Sequence, residues 1–125
     1  MGLDMMFYKK NERENEDRDV AFWRKMPSIH EWFRQLGIKK GIDGCKDPDE
    51  FNGIEVPITK EDITNLTNDL CTKNINYDVE GFFFGSDSEM NDVQFARYME
   101  YNFEQIVSIL EELDDGKELY YTSWW

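Results

Sequence analysis

The chain has 125 residues, 40% apolar and 15% aromatic, and its 27 Asp or Glu outnumber 14 Lys or Arg to give a formal net charge of −13. That length suits one domain with one core, and that aromatic content excludes a disordered chain. Residues 1–40 hold nine Lys or Arg and seven Asp or Glu, whereas residues 41–125 hold five and twenty, so direct binding of duplex nucleic acid by the larger part is not expected.

Residues 3–8 alternate, with Leu3, Met5 and Phe7 on one side and Asp4, Met6 and Tyr8 on the other, which predicts a short strand. The charged stretch from Lys9 to Asp19 reads as an exposed connection. Phe22, Met26, Ile29, Phe33 and Leu36 recur at helical spacing and predict one helix face, with Gly37 as its stop. Pro27 removes an N–H and sets its ring against the carbonyl of Trp23, so a kink or a break is expected near Met26. The turn-rich residues from Gly41 to Gly53 read as a loop. Ile54 to Ile58 predicts a short strand, placed at a sheet edge by Pro57.

Thr59 to Asp62 has the pattern of a capping box, with Asp in the Glu position, and opens a helix bearing Ile63, Leu66 and Leu70. Gly81 and Gly85 bracket three phenylalanines, a strand or a tight buried turn. The longest helix is expected from a Ser88 cap to about Leu113, with a core stripe of Phe95, Met99, Phe103, Ile106, Leu110 and Leu113. Asp114-Asp115-Gly116 ends it, and Lys117 to Trp125 forms a final strand. The fold expected is a single α+β domain over residues 1–125. Its small mixed or antiparallel sheet has the N- and C-terminal strands at its centre, with about three helices packed on one face.

One histidine, His30, excludes a multi-histidine zinc site. Cys45 and Cys71 stand 26 apart without a CxxC and are expected as reduced thiols. No phosphate-binding, dinucleotide-binding or nucleophile-elbow motif occurs. Asp43, Asp47, Asp49 and Glu50 lie in a loop that lacks the EF-hand spacing. No metal, cofactor or catalytic residue is therefore expected, and the N-terminal residues show neither the basic nor the apolar region of a signal peptide. No apolar run approaches the length needed to span a membrane.

Three groups of residues are candidates for binding. Trp23, Arg24, Lys25, His30 and Arg34, if carried on one helix, combine a ring, cations and an imidazole, which suits an anionic or planar ligand of nucleotide type. The plainer alternative is a half-buried Trp, a core-edge His and solvated cations. In the C-terminal strand, Tyr121, Ser123 and Trp125 face one way and Tyr120, Thr122 and Trp124 the other, so that Tyr120 and Trp124 could line a pocket. Glu100, Glu104 and Glu111 fall off the apolar stripe of the long helix and are candidates for contact with a basic partner.

The segments Met1 to Met5, Phe22-Trp-Arg-Lys25, Ile29-His-Glu-Trp-Phe33, Gly81 to Gly85 and Tyr120 to Trp124 resemble, in the same order, a family of small proteins common in bacteriophage genomes and prophages. The similarity touches nearly the whole chain, although Pro27 stands where the family has a helix-compatible residue. The resemblance implies a phage origin and a cytoplasmic setting in the bacterial host, not a mechanism. Small phage proteins that are neither virion parts nor replication enzymes often act in counter-defence or host takeover, which is an argument by association. The leading expectation is a non-enzymatic inhibitor that binds a basic, nucleic-acid-handling defence protein through its acidic surface. The alternative is a sponge for a nucleotide-type signal, and a small hydrolase is a minor third.

Overall fold

A computed structural model describes residues 3–9, 19–24, 26–75, 80–81, 85–86 and 91–124. Among these residues nine elements follow one another: β1 (Asp4–Lys9), β2 (Asp19–Arg24), α1 (Pro27–Lys39), β3 (Val56–Ile58), α2 (Lys60–Cys71), β4 (Glu80–Gly81), β5 (Gly85–Ser86), α3 (Asp92–Asp114) and β6 (Leu119–Trp124). Four strands form one antiparallel sheet in the order β2-β1-β6-β3, and β4 pairs with β5 apart from it. The α+β class, the central N- and C-terminal strands and the Pro57 edge strand are as expected. The expected connection at residues 10–18 and the phenylalanines 82–84 lie outside the described residues.

Strand alternation sets the core. Leu3, Met5 and Phe7 are fully buried, and so are Trp23 and Tyr121, which pair with Met5 and Phe7 on the same side of the sheet. Helix α1 covers that side. Its Phe33 ring stacks on Tyr121 with centroids 4.3 Å apart and meets Phe7 edge-on at 5.1 Å. Helix α3 packs along β2, and α2 packs along α3. The opposite side of the sheet carries a stacked Tyr8–Tyr120 pair at 5.9 Å and leaves Phe22 and Trp124 exposed.

The first helix departs from expectation. Phe22 and Trp23 belong to β2, where Ala21 and Trp23 point inward and Phe22 outward. Pro27 is the first residue of α1, the position at which a missing N–H removes no helical bond. The proline therefore starts a helix and does not kink one. Gly37 does not stop it either, since α1 runs on to Lys39. The glycine lets the buried Cys45 thiol and Val56 approach the helix backbone, where a side chain would collide with the sulfur.

Helix α2 opens with the expected box. Thr59 accepts from the Asp62 N–H at 3.2 Å while Asp62 accepts from the Thr59 N–H at 2.8 Å, and Ile63, Leu66 and Leu70 are buried. Helix α3 is capped by Asn91 and not by the expected Ser88, which lies outside the described residues. Asn91 and Gln94 form a second reciprocal box at 2.8 and 2.9 Å. The buried line of α3 is Tyr98, Asn102, Ile106 and Ile109, so the expected stripe is rotated, with Phe95, Met99, Phe103, Leu110 and Leu113 only half-buried. Two polar side chains lie innermost, each anchored by a hydrogen bond, although Asn102 Nδ2 has no partner among the described residues. The Tyr98 hydroxyl meets Ser28 Oγ at 2.9 Å, and Asn102 Oδ1 accepts from Trp23 Nε1 at 2.7 Å. Gly116, at φ +78°, turns the chain from α3 into β6.

Candidate functional site

The residues proposed for an anion or planar-ligand site do not share a helix. With Trp23 in β2 and His30 in the first turn of α1, the seven-residue spacing no longer aligns them. Trp23 is fully buried and its indole N–H is spent on Asn102. Arg24 closes β2, and its side chain, like Lys25, lies outside the described residues.

His30 is 5% exposed, with Nδ1 at 2.5 Å from the Tyr121 hydroxyl and its ring 4.8 Å from Phe51. Burial lowers its pKa to about 4, outweighing the nearby Glu31 charge and a backbone hydrogen bond with Phe51, which act to raise it. Burial also pushes the Tyr121 phenol well above its ordinary value. Both groups are therefore neutral near pH 7. The Phe51 carbonyl can only accept, so the ring N–H belongs to that contact, and Nδ1 accepts from the Tyr121 O–H.

Arg34 is likewise committed. Its Nε and Nη2 donate to the two Glu31 carboxylate oxygens at 2.7 and 2.5 Å, and Nη1 donates to the Cys45 and Lys46 carbonyls at 3.0 Å each. Burial acts to raise the Glu31 pKa, but hydrogen bonds from Arg34 and Gln35 hold it below the usual carboxylate value. The fork ties the 41–53 loop to α1, a structural task that leaves no free guanidinium edge for a ligand.

On the outer side of the sheet, Tyr120 is half-buried against Tyr8, and Trp124 is 67% exposed. Glu100, Glu104 and Glu111 are all exposed on α3, on the side away from Tyr98, Asn102, Ile106 and Ile109. Val93 and Val107, 61% and 53% exposed, lie in the same line. From Val93 to Asp114 this line advances in alternating steps of four and three through Arg97, Glu100, Glu104, Val107 and Glu111, the spacing of one helix face.

A cleft that sequence reasoning missed lies between α1 and α2. It measures about 1020 Å³ and includes Trp32, Gln35, Lys39, Asn65, Asn68 and Lys73 in its walls. Trp32 Nε1 donates to Asp69 Oδ2 at 2.8 Å on one side of it, and Lys40 pairs with Asp62 on the other. The available signal was the amide-rich outer side of α2, together with a tryptophan outside the α1 apolar stripe.

Among the described residues no group of His, Cys, Asp or Glu is arranged to hold a metal ion, and both cysteines are free thiols. No described helix is long and apolar enough to cross a membrane. Compared with protein-family models, curated proteins and solved structures, the chain matches none.

Proposed function

We propose that this protein is a non-enzymatic binding factor of the phage accessory type. It docks through the outward face of α3 on a basic, nucleic-acid-handling protein and occludes that protein's phosphate-binding surface. The observation that carries the reading is the exposed line of Glu100, Glu104 and Glu111, interleaved with exposed Val93 and Val107, on a 23-residue helix. The carboxylates supply long-range attraction to Lys and Arg, and the valines supply apolar area that a partner can cover. Helix α3 spans about 35 Å, long enough to lie along a nucleic-acid groove. The net of −15 over residues 41–125 adds to the same field. The phage setting and counter-defence role rest on the sequence resemblance.

The test is a series of association rates against a partner captured from host or defence-carrying cells. The expected rate falls at least about tenfold between about 0.05 and 0.5 M salt, while dissociation changes little. The triple variant Glu100→Lys/Glu104→Lys/Glu111→Lys should slow association similarly at low salt. Nucleic acid should compete for the partner. A rate indifferent to both salt and the triple substitution would show that the acidity serves only solubility.

A further inference from the structure

We propose that the cleft between α1 and α2 is a second binding site, for a neutral ring compound with vicinal hydroxyls: a saccharide or a nucleoside. The inference is independent of the α3 face. Trp32 meets Asp69 late in α2, and Lys40 meets Asp62 early in α2, so the two helices run antiparallel with a polar bridge at each end. The space between the bridges, about 1020 Å³, is at the upper end of the range of small-molecule pockets.

The lining narrows the ligand by elimination. Lys39, Lys40 and Lys73 balance Glu61, Asp62 and Asp69, and Glu31 is neutralised by Arg34. A cleft without net charge is conspicuous in a chain of −13. An anion would need converging cations, yet the nearby guanidinium is held by Glu31 and two carbonyls, the Lys40 ammonium by Asp62 and the Pro57 carbonyl, and the Lys73 ammonium lies 5.1 Å over the Phe95 ring, which leaves Lys39 alone. A cation would need several unpaired carboxylates, and with Asp62 and Asp69 already accepting hydrogen bonds and Glu31 paired with Arg34, Glu61 alone is left. An apolar molecule would strip water from the amides and charges without replacing it.

What remains is neutral and polar. Among the described residues the side chains of Asn65 and Asn68 have no partner, and they stand three apart on α2, on the same side. Each amide both donates and accepts, as each hydroxyl of a vicinal pair does. Across the cleft Trp32 offers a ring surface, held in place by Asp69 and by an edge contact with Phe33 at 5.1 Å. A ring laid against that indole would present its hydroxyls to the two amides.

The experiment follows the Trp32 indole N–H in the NMR spectrum of the full chain, its resonance assigned by its loss in Trp32→Phe. Maltotriose, methyl glucoside, adenosine and cytidine are titrated to their solubility limits, with adenosine monophosphate as the anionic control. One of the two classes should shift the resonance saturably, and the class that does so identifies the source of the hydroxyls. Asn65→Ala and Asn68→Ala, both at exposed positions, should each weaken that ligand about tenfold with the melting temperature nearly unchanged. Glu100→Lys/Glu104→Lys/Glu111→Lys should leave it unaltered. No saturable shift from either class, or a shift indifferent to both asparagine substitutions, overturns the proposal. So does adenosine monophosphate binding more tightly than adenosine, because the site would then be an anion site.

Discussion

Gly37→Ala is a substitution that helix propensity favours and this packing forbids. Alanine exceeds glycine by about 1 kcal/mol in a helix interior, so an unobstructed replacement would stabilise. Here the added Cβ would overlap the Cys45 sulfur and lie 3.3 Å from Cys45 Cβ and 3.4 Å from Val56 Cγ2. Cys45 is fully buried, so its sulfur would have to shift within the packed interior to admit the new methyl group. Overpacking of this kind costs about 1–3 kcal/mol, and so severe an overlap belongs at the upper end. The net expectation is a loss of about 1–2 kcal/mol, a fall of several degrees in melting temperature for a domain of this size. Removing the sulfur should reverse the sign. Cys45→Ala alone leaves a small cavity and destabilises, but on that background Gly37→Ala should be neutral or stabilising by up to about 1 kcal/mol. The four proteins form a cycle whose coupling energy should be about 1–3 kcal/mol, read from urea unfolding followed by far-ultraviolet circular dichroism. Equal destabilisation by Gly37→Ala in both backgrounds would refute the reasoning.

His30 predicts an acid-side loss of stability. Its folded pKa of about 4 lies below the unfolded value near 6.5, so the unfolded chain binds the extra proton between them. Stability should be full above about pH 6.5 and fall by about 3 kcal/mol as the pH drops towards 4, a slope that His30→Gln should largely remove in denaturant titrations. Arg34→Met should cost about 3–5 kcal/mol in urea unfolding, because it leaves Glu31 charged and unpaired and two loop carbonyls without a donor. The Glu100, Glu104 and Glu111 reversals should each change stability by no more than about 0.5 kcal/mol, so that any loss of partner binding is not a loss of fold.

Much of this architecture was readable from periodicity. Residues 3–8 and 119–124 alternate cleanly because one side of each strand is core, and Thr59 with Asp62 marks its helix start by hydrogen-bonding chemistry alone. The misreading at residues 22–26 arose because Phe22 and Met26 happen to continue the spacing of Ile29 and Phe33. The two-residue alternation of Ala21 and Trp23 competes with that spacing over too few residues to win. Pro27 carried the correct boundary, since it is welcome at a helix start and costly inside one. In α3 the stripe was misplaced because hydropathy counts Asn102 as polar, whereas its burial depends on Trp23, 79 residues away. The acidic face was legible because charge needs no partner to be read. The α1–α2 cleft was not, because the α2 amides and Trp32 hint at a polar face but no local pattern encodes the gap between two helices.

The two ends of the sheet share a feature with consequences beyond folding. At the outer strand β2, the Phe22 N–H donates to Gln105 Oε1 at 2.9 Å and the Phe22 carbonyl accepts from the Tyr101 hydroxyl at 2.6 Å. At the opposite edge, Pro57 has no N–H to offer and its carbonyl accepts from Lys40 Nζ at 2.5 Å. Side chains thus occupy the hydrogen-bonding positions that another strand would seek. Phe22 and Trp124 expose apolar surface on the same sheet, so open edges would invite stacking of copies into a fibrillar ribbon. With its borders occupied at Phe22 and Pro57, the sheet can keep its aromatic face bare without offering those positions to the strand of another copy.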